Sequence, residues 1–146
     1  MMEADFRNDD LAGIIAGDPR FDADMPTLFI FEGCSMYFNE EENRRLLTTI
    51  RSMMVHPKSS LWMDLVSREV VTGKTNHRSL SAFLEGMAEL GESFIFGPGN
   101  AADWLTSCHM IPVEVTRCGD YLNDGDLVLD TYTFSVSRAS RQMNRR

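Results

Sequence analysis

A carboxylate, a glycine and a tyrosine follow an apolar run near the start of the chain. Glu32 and Gly33 come directly after Thr27–Phe31, and Tyr37 follows within the same segment. A carboxylate in this place could accept hydrogen bonds from a ligand or compensate a cation, and a glycine lets a ligand approach the backbone closely. Tyr37 could turn its ring and hydroxyl toward the same ligand. In the alternative interpretation, Glu32 is a solvated loop carboxylate and Tyr37 packs the loop after the run.

Further residues that could take part in ligand binding lie in three other segments. Asp64 interrupts the apolar run Ser60–Val66, and a buried carboxylate needs a partner, so it lies either near the carboxyl end of a strand facing a crevice or at the rim. Asp5 could receive an exocyclic amino group, and Phe6 could lie against a flat ring. The segment Phe96–Asn100 contains glycines, but it has no phosphate-loop pattern, so we do not expect it to cradle phosphate.

The composition narrows the classes of partner. The chain has 146 residues and a net charge of -8, which disfavours binding to nucleic acid. No apolar run approaches the ~20 residues that a membrane span needs, and the polar, acidic N-terminus is unlike a signal peptide. The spacing of Cys34, Cys108 and Cys118 fits neither a CxxC pattern nor a zinc site. We therefore expect a cytoplasmic protein with reduced thiols, no metal, no nucleic acid and no membrane partner.

An α/β sheet would position these residues. The patterns predict strands at Thr27–Phe31, Ser60–Val66, Ile111–Thr116 and Thr131–Ser137. The first two strands flank a helix and make a βαβ unit. The last two are joined by a short link with turn chemistry at Asn123–Gly125, which predicts an antiparallel pair. Because ligands bind at the carboxyl ends of parallel strands, Glu32 and Gly33 would lie at a ligand crevice.

Four helices are predicted around these strands. The helix of the βαβ unit begins at Asn39, where Glu42 can close a capping box. Another helix is expected over Asp9–Ala16, a third over Ser79–Leu90, and a fourth begins at Asn100. The residues expected to face inward are Leu46, Leu47, Ile50, Met53 and Met54 in the βαβ helix, Leu80, Phe83, Leu84 and Met87 in the third, and Trp104, Leu105 and Cys108 in the fourth.

The strand Thr27–Phe31 has an unusual place in this scheme. It is apolar on both faces, as a central strand of a parallel sheet would be. The few residues at the start of the chain are too polar to form neighbouring strands for it. An exposed apolar edge invites pairing with another chain. The pattern therefore predicts that this sheet is part of a larger one.

Four segments together resemble a known family. They are ADFRND at Ala4–Asp9, PTLFIFEGCSMYF at Pro26–Phe38, SSLWMDLVS at Ser59–Ser67 and FIFGPGNAADWLTSCHM at Phe94–Met110. Their order and spacing are similar to those of the leucine carboxyl methyltransferase family, which includes O-methyltransferases of polyketide biosynthesis. The resemblance extends from about residue 4 to about residue 137. It implies a Rossmann-like α/β sheet that binds S-adenosylmethionine (SAM) as the methyl donor.

The resemblance also implies roles for single residues. Asp5 and Phe6 match an Asp-Leu pair that contacts the adenine, with Phe6 in place of the usual leucine. Glu32 and Gly33 match the EG motif, whose glutamate lies beside the methionine part or the sulfonium of SAM, and Tyr37 matches a tyrosine near the reacting centre. The acceptor implied is a small molecule with a carboxyl or hydroxyl group.

The resemblance is partial, because the family's N-terminal half, with its first strands and SAM-carboxylate loop, has no counterpart in the sequence. The expected organisation is residues 1–137 as the C-terminal part of one methyltransferase domain, with a partial sheet ending in an antiparallel hairpin, followed by a basic tail at 138–146. The expected function is a SAM-dependent O-methyltransferase that is inactive or poorly active as an isolated chain. The alternative is a non-catalytic half-domain that pairs with a partner chain or with itself as a homodimer.

Overall fold

The computed structural model describes residues 3–74, 78–121 and 131–140. Within these ranges the chain forms α-helices, β-strands and two 3₁₀ turns, at Ser35–Tyr37 and Cys118–Asp120. The elements in chain order are α1 Leu11–Ala16, β1 Leu28–Phe31, α2 Glu40–Met53, β2 Ser60–Val66, α3 Arg68–Val71, α4 Arg78–Glu89, α5 Ala101–Ser107, β3 Met110–Arg117 and β4 Tyr132–Ala139.

The strands form one mixed sheet in the order β1-β2-β4-β3. β1 and β2 are parallel, and α2 connects them, which confirms the predicted βαβ unit. β4 pairs antiparallel with both β2 and β3. The α/β class and the antiparallel pairing of the last two strands are therefore confirmed. The position of β4 between β2 and β3 was not predicted, because a sequence pattern does not specify which strands become neighbours.

Helix α2 begins with the predicted capping box. The Asn39 side chain accepts a hydrogen bond from the backbone N–H of Glu42 at 2.9 Å, and the Glu42 carboxylate accepts one from the backbone N–H of Asn39 at 2.8 Å. These bonds satisfy two backbone donors that the first turn of a helix leaves free. The predicted apolar stripe is buried at Leu46, Leu47, Met53 and Met54.

The main core lies on one face of the sheet. Helices α2 and α5 cover this face, and the side chains that β1 and β2 direct toward them are apolar. The buried members of this cluster are Phe31, Leu46, Leu47, Met54, Leu61, Met63, Leu65, Phe96, Trp104, Leu105, Cys108 and Met110. Burial of this apolar surface is the main favourable contribution to folding.

The opposite face of the sheet is only partly covered. A second cluster of Met36, Val66, Val70 and Leu80 packs at the carboxyl end of β2. Elsewhere on this face, Leu28 and Ile30 are 57% and 64% exposed, and Trp62 stacks on Phe134 with both rings half-buried. No strand among the described residues pairs with the outer edge of β1. The strand with the composition of a central strand is thus the edge of this sheet.

Several element boundaries differ from those predicted. Helix α1 begins at Leu11, with Asp10 as its N-cap, and β3 is longer by one residue at each end. Phe83 of α4 was expected to face inward, but it is exposed, and its ring lies tilted beside that of Phe94 with the centroids 6.1 Å apart. β4 continues to Ala139, so the predicted tail starts within this strand. Residues 141–146 and the predicted turn at Asn123–Gly125 lie outside the described residues. Among the described helices, none is long and apolar enough to cross a membrane.

Truncating the centre of the core should strongly destabilise the chain. Leu47 is fully buried between α2 and the sheet. Leu47→Ala removes buried methyl groups and leaves a cavity, so we expect a loss of about 2–5 kcal/mol in the free energy of unfolding, measured by urea denaturation. Leu90→Ala is the matched control, because Leu90 is 78% exposed. Its effect should stay within about 0.5 kcal/mol, and equal losses in both variants would contradict this placement of the core.

Candidate functional site

The loop after β1 turns sharply at Gly33. Its φ is +64°, a left-handed conformation that favours glycine. A side chain at this position would meet no atom within 4 Å, so space beside the backbone is open. The Gly33 N–H donates a hydrogen bond to the Asp64 carboxylate at 2.8 Å. The backbone is therefore held from one side and accessible from the other.

Asp64 is the buried carboxylate that holds this loop. It lies in β2, is 4% exposed, and its backbone oxygen accepts a hydrogen bond from the Ser35 hydroxyl at 2.8 Å. The sequence analysis left two locations open for Asp64, and in the structure it lies near the carboxyl end of the strand. Burial raises the pKa of Asp64, and the nearby Glu32 raises it further, whereas the Gly33 N–H acts in the opposite direction.

Asn43 fixes the same loop from the helix side. Its amide is completely buried and donates to the backbone oxygens of Ser35, Phe38 and Asn39 at 2.9, 3.0 and 3.1 Å. The sequence analysis missed this residue. An asparagine on the otherwise apolar inner side of α2 was the available signal, since a buried amide must find partners.

Tyr37 closes the 3₁₀ turn and lies partly buried beside a second aromatic ring. Its ring meets Phe94 edge-on, with centroids 5.4 Å apart. Burial raises the pKa of Tyr37, and Glu92 and Cys34 add to this effect. Tyr132 at the start of β4 packs against the same apolar cluster as Tyr37. Burial raises the pKa of Tyr132, and Asp64 and Tyr37 raise it further. Its role was not predicted, since β4 had no assigned neighbour.

Arg7 connects the N-terminal segment to this loop. Its guanidinium forms a salt bridge with Glu42 at 2.8 Å, donates to the backbone oxygen of Tyr37 at 3.2 Å, and lies over the Phe38 ring. The Phe6 ring packs beside Phe31 and Phe38, with centroids 6.3 and 6.2 Å away. The segment from residue 5 to residue 7 thus lies against the loop that carries Tyr37.

The carboxylate of Asp5 is occupied by its own turn. It accepts hydrogen bonds from the Arg7 N–H at 2.8 Å and from the Asn8 side chain at 2.7 Å. These bonds, the Arg7 N–H first, lower the pKa of Asp5. Within this turn the carboxylate acts as a structural acceptor, and the exposed face nearby belongs to Phe6.

The structure therefore gathers the predicted residues at one end of the sheet. Glu32, Gly33 and Tyr37 share one loop, which Asp64 ties to β2, and Phe6 lies on its flank. The Glu32 carboxylate is exposed and forms no salt bridge among the described residues. An exposed carboxylate beside an accessible glycine and an aromatic hydroxyl suits a ligand that carries a positive charge or hydrogen-bond donors.

The raised pKa of Asp64 predicts a specific dependence of stability on pH. The folded state holds this proton more tightly than the unfolded chain, whose carboxyl titrates near 3.8. The contribution of Asp64 to stability is therefore greatest below that pH and is lost as the pH rises through the folded-state pKa. Asp64→Asn keeps an acceptor for the Gly33 N–H but cannot ionise. Urea denaturation from about pH 3 to pH 7 should show the variant gaining stability relative to the original chain as the pH rises.

Asp24→Asn is the control for the removal of one exposed loop carboxylate. If the Asp64 variant and the original chain differed in free energy of unfolding by the same amount at every pH in this range, that result would contradict a desolvated Asp64.

Comparisons with known proteins agree with the sequence resemblance. Residues 1–51 match the model of the leucine carboxyl methyltransferase family. No curated protein sequence matches the chain. A DUF574 family protein from Streptomyces avermitilis MA-4680 is 14% identical, with a TM-score of 0.63 over 94% of this chain and 54% of that chain. A proposed methyltransferase from Thermobifida fusca YX is 17% identical, with a TM-score of 0.61 over 94% of this chain and 53% of that chain.

The two kinds of comparison cover different parts of the molecule. The family match includes α1, β1 and most of α2, together with the loop that carries Glu32 and Tyr37. The structural matches extend over nearly all of this chain, and at these identities they establish the fold. The chain spans about half the length of the two structures. The chain thus has an α/β fold shared with these structures, and its residues 1–51 match the leucine carboxyl methyltransferase family.

Proposed function

We propose that the chain acts in SAM-dependent O-methyl transfer to the carboxyl or hydroxyl group of a small molecule. One observation carries the proposal. The part that matches the family contains Asp5, Phe6, Glu32, Gly33 and Tyr37, and these residues lie in two segments that pack against each other at the carboxyl end of β1. This is the end of a parallel strand pair at which α/β proteins bind ligands.

The electrostatics of the loop suit the methyl donor. SAM supplies a methyl group on a positively charged sulfonium. Glu32 presents an exposed carboxylate, and its charge reaches Cys34 and Asp64, whose pKa values it helps to raise. The attraction between a carboxylate and a cation is stronger at a protein surface than in bulk water, because the effective dielectric constant is lower there. The proposed contribution of Glu32 is therefore to hold the positively charged part of the donor.

The remaining residues have positional roles in the proposal. Gly33 allows the ligand close to the backbone, and Asp64 keeps that backbone in one conformation. Phe6 offers a flat apolar surface to the adenine, and Tyr37 lines the reacting centre. Methyl transfer is an in-line displacement in which a protein contributes mainly alignment and desolvation, worth up to about 7–11 kcal/mol. The hydrogen-bonded rigidity of this loop serves alignment.

Weak donor binding is expected for the chain by itself. In this proposal Glu32, Gly33 and Tyr37 supply one side of the donor site, and the sequence has no glycine-rich loop to receive the SAM carboxylate. Calorimetry with SAM on the 146-residue chain should give an affinity weaker than micromolar. NMR titration should move the amide signals of the loop around Glu32 and Tyr37 and those of Phe6. Micromolar binding would contradict an incomplete pocket, and shifts confined to other regions would contradict the proposed site.

The role of Glu32 is tested by removing its charge. Glu32→Gln should weaken SAM binding about two- to fivefold, as expected for an exposed ion pair. Glu85→Gln on the surface of α4 removes the same charge away from the loop and should leave the affinity unchanged. Equal losses in both variants would indicate a non-specific effect of net charge.

A second candidate function is a non-catalytic half-domain that pairs through β1. The specific observation is that β1 is an edge strand whose exposed side chains, Leu28 and Ile30, are apolar. Edge strands with unpaired backbone groups and apolar side chains pair readily with another strand. The partner is a second chain of the same or of another protein.

Self-association through β1 would be visible in solution. Light scattering coupled to size exclusion should give twice the 16.6 kDa mass of the chain if two copies pair. Ile30→Lys places a charge on the exposed apolar face and should return the mass to that of a monomer. Leu90→Lys, at an exposed leucine just after α4, should leave the dimer intact. A monomer at every concentration would contradict self-pairing.

A further inference from the structure

Three basic side chains line one cleft beside the carboxyl end of β2. Arg68 begins α3, Lys74 follows that helix, and Arg117 ends β3, and all three are exposed. The cleft has a volume of about 690 Å³. This lies within the range of about 300–1,000 Å³ that is common for small-molecule sites. None of these cations belongs to the loop that carries Glu32 and Tyr37.

The wall of the cleft depends on Gly97. A Cβ atom at this position would lie 2.7 Å from the backbone oxygens of both Val66 and Ser67, so a larger residue would displace the chain. The Arg68 N–H donates to the Pro98 oxygen at 3.2 Å, which keeps the two segments together. The Arg68 guanidinium carbon then lies 3.8 Å from where a Cβ on Gly99 would be. Pro98, Gly99 and Asn100 thus form a wall of the cleft beside a guanidinium.

The described lining of the cleft is positive, although the chain is acidic. Glu69 and Asp120 also line the cleft, so among the described lining residues three cations face two carboxylates, and their balance is one positive charge. The whole chain carries a net charge of -8. Among the described residues, none of these five groups forms a salt bridge, whereas the three ion pairs that are formed lie elsewhere. The cations therefore keep their hydrogen-bond donors available to a ligand.

We propose that this cleft binds an oxyanion, a carboxylate or phosphate carried by the methyl acceptor. The guanidinium groups of Arg68 and Arg117 match the paired oxygens of either group, and Lys74 adds a point charge. The cleft begins at Leu65, the residue after Asp64, which holds the Glu32 loop. An acceptor anchored here extends across the end of β2 toward that loop. The assignment to the acceptor rests on the proposed function, but anion binding does not.

The test uses the full chain with inorganic phosphate and, separately, with succinate as the carboxylate probe. NMR titration should give saturable shifts of amides at Ser67, Arg68, Gly99 and Arg117. The double variant Arg68→Gln/Arg117→Gln should raise the dissociation constant about tenfold or more, because charge-assisted hydrogen bonds are lost. Lys58→Gln/Arg138→Gln removes two exposed cations outside the cleft and is the matched control. The probe with the lower dissociation constant identifies the preferred oxyanion.

Several results would overturn the proposal. They are the absence of saturable shifts with both probes, shifts spread over the surface, and equal weakening in the cleft and control variants. Should the double variant lose the native spectrum, Lys74→Gln and Lys58→Gln replace the pair, with the same comparison between them. SAM titration is scored separately. If the anions bind and SAM does not, the result counts against the proposed function alone. If SAM binds and the anions do not, the result counts against the anion site alone.

Discussion

The hydrogen bonds of Asp64 connect the two parallel strands at the end where ligands would bind. Its carboxylate accepts from the Gly33 N–H, and its backbone oxygen accepts from the Ser35 hydroxyl. Burying a carboxylate is unfavourable unless it is hydrogen-bonded, so the loop after β1 is held where it satisfies that group. Asn43 completes the arrangement from α2 by bonding three backbone oxygens of the same loop. The placement of Glu32 and Tyr37 follows from these bonds.

The two faces of the sheet differ in how far they are covered. One face packs against α2 and α5 and contains the main core, which provides the stability of the chain. The other face is covered only near the carboxyl end of β2 and leaves Leu28 and Ile30 exposed. The same strand, β1, carries both the open apolar edge and the loop with Glu32. A partner strand at this edge would therefore lie next to the proposed donor site.

Charge is also distributed unevenly around the end of β2. The carboxylates of Glu32, in the loop after β1, and of Asp64, in β2, lie near each other and suit a cation. The neighbouring cleft is lined by Arg68 and Arg117 and suits an anion. In the proposed methyl transfer, the donor is a sulfonium and the acceptor carries an oxyanion, so the two partners would be separated by charge. Opposite local potentials orient two substrates without new contacts at the reacting atoms.

The sequence by itself determined the local structure, because local structure depends on near neighbours along the chain. The Asn39–Glu42 capping box, the buried stripe of α2 and the βαβ order were all predictable from spacing. The resemblance to a methyltransferase family was also recognised in the sequence, and the family match covers residues 1–51. Only the tertiary structure decided that β4 lies between β2 and β3, that Tyr132 and Tyr37 pack against the same cluster, and that Arg68 and Arg117 line one cleft. These contacts join residues far apart in the chain, and their formation depends on which surfaces pack, which periodicity does not encode.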